Sequence, residues 1–191
     1  MHRYRRTMVA HRLVRNLAGA VAVLATLLTV VFGLPALNRA VPTDRSLAGP
    51  RYDVGAGVTV APPPGARVDA SKTRPGSERA TVMFLVGDVR YLIVVQPFDG
   101  PIGEAAEKLR TKIKATQGYQ VTGNEGGIRT TGGLAGVAGG YTAPGRSGRY
   151  AVFLAGEHSI EVTVSGAQLE LQRELAGIDG SISSITYGGD R

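Results

Sequence analysis

Residues 81–95 read TVMFLVGDVRYLIVV. Two runs rich in β-branched and aromatic side chains, 81–86 and 89–95, are separated only by Gly87 and Asp88. Glycine in the first position of a two-residue loop suits the type II′ turn, whose twist matches that of paired strands. The stretch predicts an antiparallel hairpin, and the chain on either side is read as structure built onto it.

Downstream, Pro97 ends the second run, and Gly100 with Pro101 opens a helix to about Gln117, with proline in the first turn where its missing N–H is harmless. Ile102, Ala106, Leu109 and Ile113 fall on one face, while Glu104 and Glu107 precede Lys108, Arg110, Lys112 and Lys114, the order that complements a helix dipole. Glu104 stands four residues before Lys108, and Gly118 is the expected stop. Residues 119–131 read as two short strands around a turn at Asn124 to Gly127, broken by Gly132 and Gly133. LAGVAGGYTA (134–143), RYAVFLA (149–155) and SIEVTV (159–164) read as a meander, with loops at Pro144 to Gly148 and Gly156 to His158. In its last strand Ile160, Val162 and Val164 face the core. Ser165 and Gln168 have capping-box spacing, and Leu171, Leu175, Ile178, Ile182 and Ile185 form the stripe of a closing helix that Gly177 and Gly180 could divide.

Upstream, Val58 and Val60 form a first strand that Pro62, Pro63, Pro64 and Gly65 stop, and residues 66–79 read as a polar loop. The fold class is therefore α+β: a mostly antiparallel sheet of about six or seven strands packed by two helices.

Before this domain, Leu17 to Leu37 contains no charged residue, and a helix of that length spans roughly 30 Å of hydrocarbon. Residues 17–37 are read as a transmembrane helix in contact with the lipid bilayer, 1–16 as a basic cytoplasmic head, 38–53 as a stalk and 54–187 as the folded domain. The run is longer than the apolar core of a cleaved signal peptide, and cleavage after Ala36 or Ala40 would place Leu34 or Asn38 where a small residue is wanted. Arg5 and Arg6 form a twin-arginine pair whose following residues do not continue that export signal. An uncleaved signal-anchor is expected.

The chain carries a net charge of +7, but five arginines and no acid lie in the head, and beyond the anchor 17 basic residues face 15 acidic ones. The basic character belongs to a membrane flank and not to a nucleic-acid surface; the arginines place the N-terminus in the cytoplasm and the domain outside the plasma membrane. With no cysteine there can be no disulfide, no acylated lipoprotein cysteine and no thiolate metal site. Arginine outnumbers lysine 18 to 4, a bias of GC-rich coding that points to an actinobacterial source.

The V-x-V-x-P-x-x-G opening at Val58 to Gly65, the hairpin, the amphipathic helix, the T-T-G-G-L-A-G segment at Thr130 to Gly136 leading to Tyr141, the paired strands and the final I-x-x-x-I-x-x-I helix together resemble the PsbP-like fold over residues 54–187. Ala66 stands where members often carry an aromatic residue. The resemblance implies an accessory, adaptor or binding role outside the cytoplasm, as in membrane-attached envelope proteins, and it names no site residue.

The residues themselves carry little chemistry. His158 lies between Glu157 and Glu161, but residues three apart on a strand point to opposite faces, so the set reads as a solvated turn and not a metal site. The commonest nucleophile motifs are absent, which leaves only a triad assembled from distant residues with His158 as its one candidate base. Glu170 and Glu174, one helical turn apart around Arg173, read as helix surface. The glycine-rich run Gly132 to Gly140 precedes a strand and lacks a phosphate-loop lysine, so it reads as turns and close packing. Lys108, Arg110, Lys112 and Lys114 form a basic helix face that is solvated or touches anionic lipid; Tyr119, Tyr141 and Tyr150 are core residues or line a groove. No catalytic, cofactor or metal residue is assigned. The expectation is an envelope accessory protein without catalysis that binds an envelope or membrane protein partner, or else a binding module for a small apolar or lipid ligand. A preformed apolar cavity with convergent polar groups would favour the second, an exposed apolar patch without a cavity the first.

Overall fold

The computed structural model describes residues 44–46 and 50–189, and the head, the apolar run 17–37 and the rest of 38–49 lie outside them. Among the described residues no helix is long and apolar enough to cross a membrane. The elements follow in the order β1 (Asp44–Ser46), β2 (Tyr52–Gly55), β3 (Val58–Val60), β4 (Arg67–Asp69), β5 (Ala80–Val86), β6 (Val89–Pro97), α1 (Ile102–Lys114), β7 (Gln120–Arg129), β8 (Ala135–Ala143), β9 (Arg146–Ala155), β10 (His158–Gly166), α2 (Gln168–Ser183) and β11 (Thr186–Tyr187).

The hairpin forms as its sequence requires. Val86 pairs with Val89 across Gly87 and Asp88, and Gly87 takes φ +57° while Asp88 keeps a negative φ, the pattern of the II′ turn. β5 alternates buried and half-buried residues along its whole length. Around it an eight-stranded antiparallel sheet runs in the order β1-β4-β5-β6-β10-β9-β8-β7, and a separate three-stranded sheet runs β11-β3-β2.

Strand alternation gives the large sheet two cores. Val82, Phe84, Tyr91, Ile93, Ile160, Val162 and Phe153 lie on one face and pack against Val54, Val58 and Val60 of the small sheet and Leu171 and Ile178 of α2. Tyr150, Val152 and Tyr141 lie on the other and pack against Ala105, Leu109 and Ile113 of α1. Fully burying one such aliphatic or aromatic side chain is worth about 1.5–3 kcal/mol.

Several expectations are corrected. The described sheets hold eleven strands, not six or seven, because short strands escape periodicity: β1 and the start of β2 fall within 38–53, and β4 within the supposed loop 66–79. Arg51, placed in the stalk by its sequence, clamps the small sheet. Its Nε donates to Thr59 Oγ1 at 3.2 Å, and its Nη2 donates to the Ser184 carbonyl at 2.9 Å and to Thr186 Oγ1 at 2.7 Å, putting a cation at the C-terminal end of α2.

Helix α1 is shorter than 100–117: Pro101 is its N-cap in extended conformation and the helix ends at Lys114. The turn expected at Asn124 to Gly127 is instead an irregularity within one strand, since β7 stays paired to β8 on both sides of a shift between Thr122 and Gly126. The loops at 144–148 and 156–158 shrink to two-residue turns, with Ala143 opposite Arg146 and Ala155 opposite His158. The capping box does not form, because Ser165 is still paired with Arg90 and Gly148 in the sheet; the N-cap of α2 is Ala167, without a side-chain hydrogen bond. Helix α2 is not divided at Gly177 or Gly180, and Leu175, expected on the buried stripe, is only half-buried, whereas Ile178 is fully buried and Ile185 is buried just beyond the helix.

Ile178→Ala should therefore destabilise the domain by about 2–5 kcal/mol, whereas the exposed Gln172→Ala should change stability by no more than about 0.5 kcal/mol; urea unfolding of the two variants measures the difference.

Candidate functional site

The site follows from what α1 does not cover. The helix packs over β9, β7 and β8, and among the described residues no helix packs on the same face of β5 and β6. On that open part the residues lie in rows across the strands: Leu85, Arg90 and Ser165 in one, Met83, Leu92 and Thr163 in the next, Thr81, Val94 and Glu161 in the third. Met83, Leu92 and Val94 form a half-buried apolar floor. Leu109 and Ile113 of α1 form one wall, and Tyr119 and Tyr141, stacked with centroids 5.8 Å apart and planes 20° apart, stand beside them. Together they line a groove of about 420 Å³, within the size range of small-molecule sites.

Its polar groups converge from the sheet and the helix. Glu161 sits on a central strand with its side chain 6% exposed; Lys112 Nζ reaches its two oxygens at 2.8 and 2.9 Å, and Gln96 Nε2 donates to Oε1 at 2.7 Å. A buried carboxylate without partners would carry a large desolvation penalty, so these donors are what allow Glu161 to lie there. Tyr141 donates its hydroxyl to the Val164 carbonyl at 3.0 Å, and burial pushes its pKa up to about 12. The groove can hold and orient an apolar body.

A second network fixes the far side of α1. The β7 irregularity brings Glu125 to Arg110, which also pairs with Glu107, and Tyr150 donates its hydroxyl to Glu125 Oε1 at 2.7 Å. Burial pushes the Glu125 pKa upward, but the hydrogen bonds from Tyr150 and Arg110 outweigh it and leave the carboxyl below its ordinary value; burial and the bond to Glu125 push the Tyr150 pKa up to about 12.

The expected candidates are dispersed. Of the basic helix face, Lys112 reaches the groove, Lys108 pairs with Glu104 at 3.0 Å and sits 4.7 Å above the Phe98 ring, and Arg110 serves Glu125. Of the tyrosines, Tyr119 and Tyr141 line the groove and Tyr150 lies beneath α1. His158 lies on the other face of β10 from Glu161, with its ring 6.3 Å from Tyr187, and Glu170 pairs with Arg173 at 2.8 Å. The glycine-rich run makes room for rings: a Cβ at Gly139 would meet Tyr150 at 2.5 Å and one at Gly136 would run into Phe153. Glu161, which the sequence reads with His158 as part of a solvated turn, is instead a buried groove residue, and its signal is a lone carboxylate inside the apolar run SIEVTV.

No protein-family model matches the sequence, and no curated protein does. Among solved structures, the domain is similar to cyanobacterial PsbP (CyanoP) from Synechocystis sp. PCC 6803, with TM-score 0.54 and 16% identity over 75% of this chain and 98% of that one. The domain has the PsbP-like fold. A second match is LpqN of Mycobacterium tuberculosis, described as involved in cell envelope biogenesis, with TM-score 0.39 and 10% identity over 75% of this chain and 88% of that one. In this PsbP-like domain the groove is built by α1 against the β5–β6 hairpin and β10.

Two outcomes are expected of the networks. Glu125 has a folded pKa below its unfolded value near 4.3, so the stability it contributes is present above that pH and is lost as pH falls through the folded value. The stability gap between the parent chain and Glu125→Gln should be largest near pH 7 and shrink toward pH 3 in urea titrations. Lys112→Ala strands Glu161, whereas Lys112→Ala/Glu161→Gln does not; a double-mutant cycle should give a coupling of about 1 kcal/mol or more, against about 0.3–0.5 for the exposed Glu104–Lys108 pair.

Proposed function

We propose that the chain is a non-catalytic binding protein of the cell envelope, held to the plasma membrane by residues 17–37 with its PsbP-like domain outside, and that the α1 groove takes a small apolar ligand or a lipid chain. The observation that carries the reading is the groove: a preformed apolar floor of Met83, Leu92 and Val94 with Lys112, Glu161 and Tyr141 converging on it. The charge asymmetry of the head supports the placement, and LpqN's description concerns the envelope. An accessory role toward a protein partner is the second reading, favoured by Leu169 of α2, a large apolar side chain that is 69% exposed.

The cysteine-free sequence allows a direct test, since Met83→Cys can carry a photocrosslinker on the full chain in its membrane. Crosslinked lipid or small apolar molecule is the expected product, and its yield should fall several-fold when Leu92→Gln is added. A crosslink confined to polypeptide would favour the accessory reading, and no product above that of an exposed control, Arg79→Cys, would remove the groove from consideration.

A further inference from the structure

The charged groups of the groove are arranged to cancel. Lys112 and Glu161 neutralise each other inside it, and Arg90, the third charged residue of the lining, is exposed two rows away on β6, where water and salt screen it. What the pair offers an occupant is therefore its unused hydrogen-bond positions and not a net charge. A carboxylate has about four lone-pair sites and a lysine ammonium three N–H groups. Lys112 reaches both Glu161 oxygens and Gln96 takes a second position on Oε1, so among the described residues one position remains on Oε2 and at least one N–H on Lys112. Along the same face of β10 the half-buried hydroxyls of Thr163 and Ser165 continue this polar strip, between the apolar floor of β5–β6 and the apolar wall of α1.

An acceptor and a donor side by side are satisfied together by a hydroxyl, which donates to the carboxylate oxygen and accepts from the ammonium. An anionic head would suit Lys112 but face Glu161, and a cationic head would do the reverse. Neither gains enough from a pair without net charge to offset its own desolvation beside an apolar floor. Deepening the groove reading, on which this inference rests, we propose that Lys112 and Glu161 act together as a charge filter and that the occupant is an uncharged, hydroxyl-bearing amphiphile. Its apolar part lies on Met83, Leu92 and Val94, one hydroxyl bridges Glu161 Oε2 and Lys112 Nζ, and Thr163 takes a further hydroxyl.

The test uses the full chain in phosphatidylcholine nanodiscs and photoactivatable probes of equal chain length: a monoacylglycerol, the methyl ester that lacks its hydroxyls, an alkylsulfonate and an alkyltrimethylammonium. The monoacylglycerol should label saturably and half-saturate at a concentration about five-fold or more below each of the others, the worth of one net hydrogen bond. Glu161→Gln leaves Lys112 charged without its carboxylate, so the sulfonate should then overtake the monoacylglycerol. Lys112→Gln/Glu161→Gln removes both charges and should return the preference to the uncharged probe, whereas a pair that only braced α1 would weaken all probes alike. Thr163→Val keeps the shape of the strip and serves if the Glu161 variants melt early: it should cost the monoacylglycerol about three-fold or more while the methyl ester stays within about two-fold. Equal labelling by the monoacylglycerol and the methyl ester overturns the assignment and leaves the groove reading standing. So does a preference for either charged probe in the parent chain, or one that a folded Glu161→Gln variant does not move. Labelling by none of the probes in a folded chain overturns both.

Discussion

Strand β10 is where the two halves of the domain are joined. It pairs with β6, some 70 residues earlier, along eight registered positions, and with β9 on its other edge. Because strand side chains alternate, this one strand feeds both cores: Ile160, Val162 and Val164 enter the α2 side, and Ser159, Glu161, Thr163 and Ser165 face the α1 side. A slip of one residue in the β6–β10 register would drive Glu161 into the apolar core and turn Ile160 and Val162 outward, so the hydrophobic pattern selects one alignment. The hairpin 81–95 and the helix α2 depend on that alignment, since Tyr91 on β6 is both packed in the larger core and hydrogen-bonded by Ser181 of α2 at 3.3 Å.

Geometry then forces an opening on the α1 side. Eight strands spaced about 4.8 Å apart make a sheet roughly 34 Å wide, whereas a helix with its side chains covers about 10–12 Å. The opposite face has α2 and a three-stranded sheet to share the work; among the described residues this face has one helix of 13 residues. The helix is drawn to the β7–β9 side by Tyr150, Val152 and the Arg110–Glu125 contact, which leaves β5 and β6 uncovered. A strand with a solvated face ordinarily carries polar residues there, but β5 and β6 carry Met83, Leu85, Leu92 and Val94. An apolar stripe that the chain's own helix does not cover is the mark of a surface shaped for something else.

The elements that repeat were legible in the sequence, and those that depend on tertiary partners were not. The hairpin, the apolar faces of α1 and β10 and the closing helix follow from periods of two and of about 3.6. Strands of three residues such as β1 and β4 have no period to read; they exist because an edge of the sheet was available to pair with. The capping box at Ser165 failed for the same reason, a local preference outweighed by two ladder pairings. For the groove, Tyr119, Tyr141 and the basic helix face were visible, but which of them converge is set by where α1 lands.

The Lys112–Glu161 pair links these observations. A carboxylate on a central strand adds little net stability, because its desolvation offsets most of the attraction, so its physical effect is better sought in position than in free energy. Glu161 offers α1 one place on the sheet where a lysine at position 112 can reach both oxygens, and Gln96 fixes the carboxylate from the neighbouring strand. The helix is thereby pinned from two sides, by Arg110 to Glu125 toward β7 and by Lys112 to Glu161 toward β10. A purely apolar contact would let α1 slide over Leu92 and Val94 and close the groove, since it would bury more apolar area. Two charged anchors facing opposite ways oppose that slide, and they hold open a trough whose floor, left to the hydrophobic effect alone, the helix would have covered.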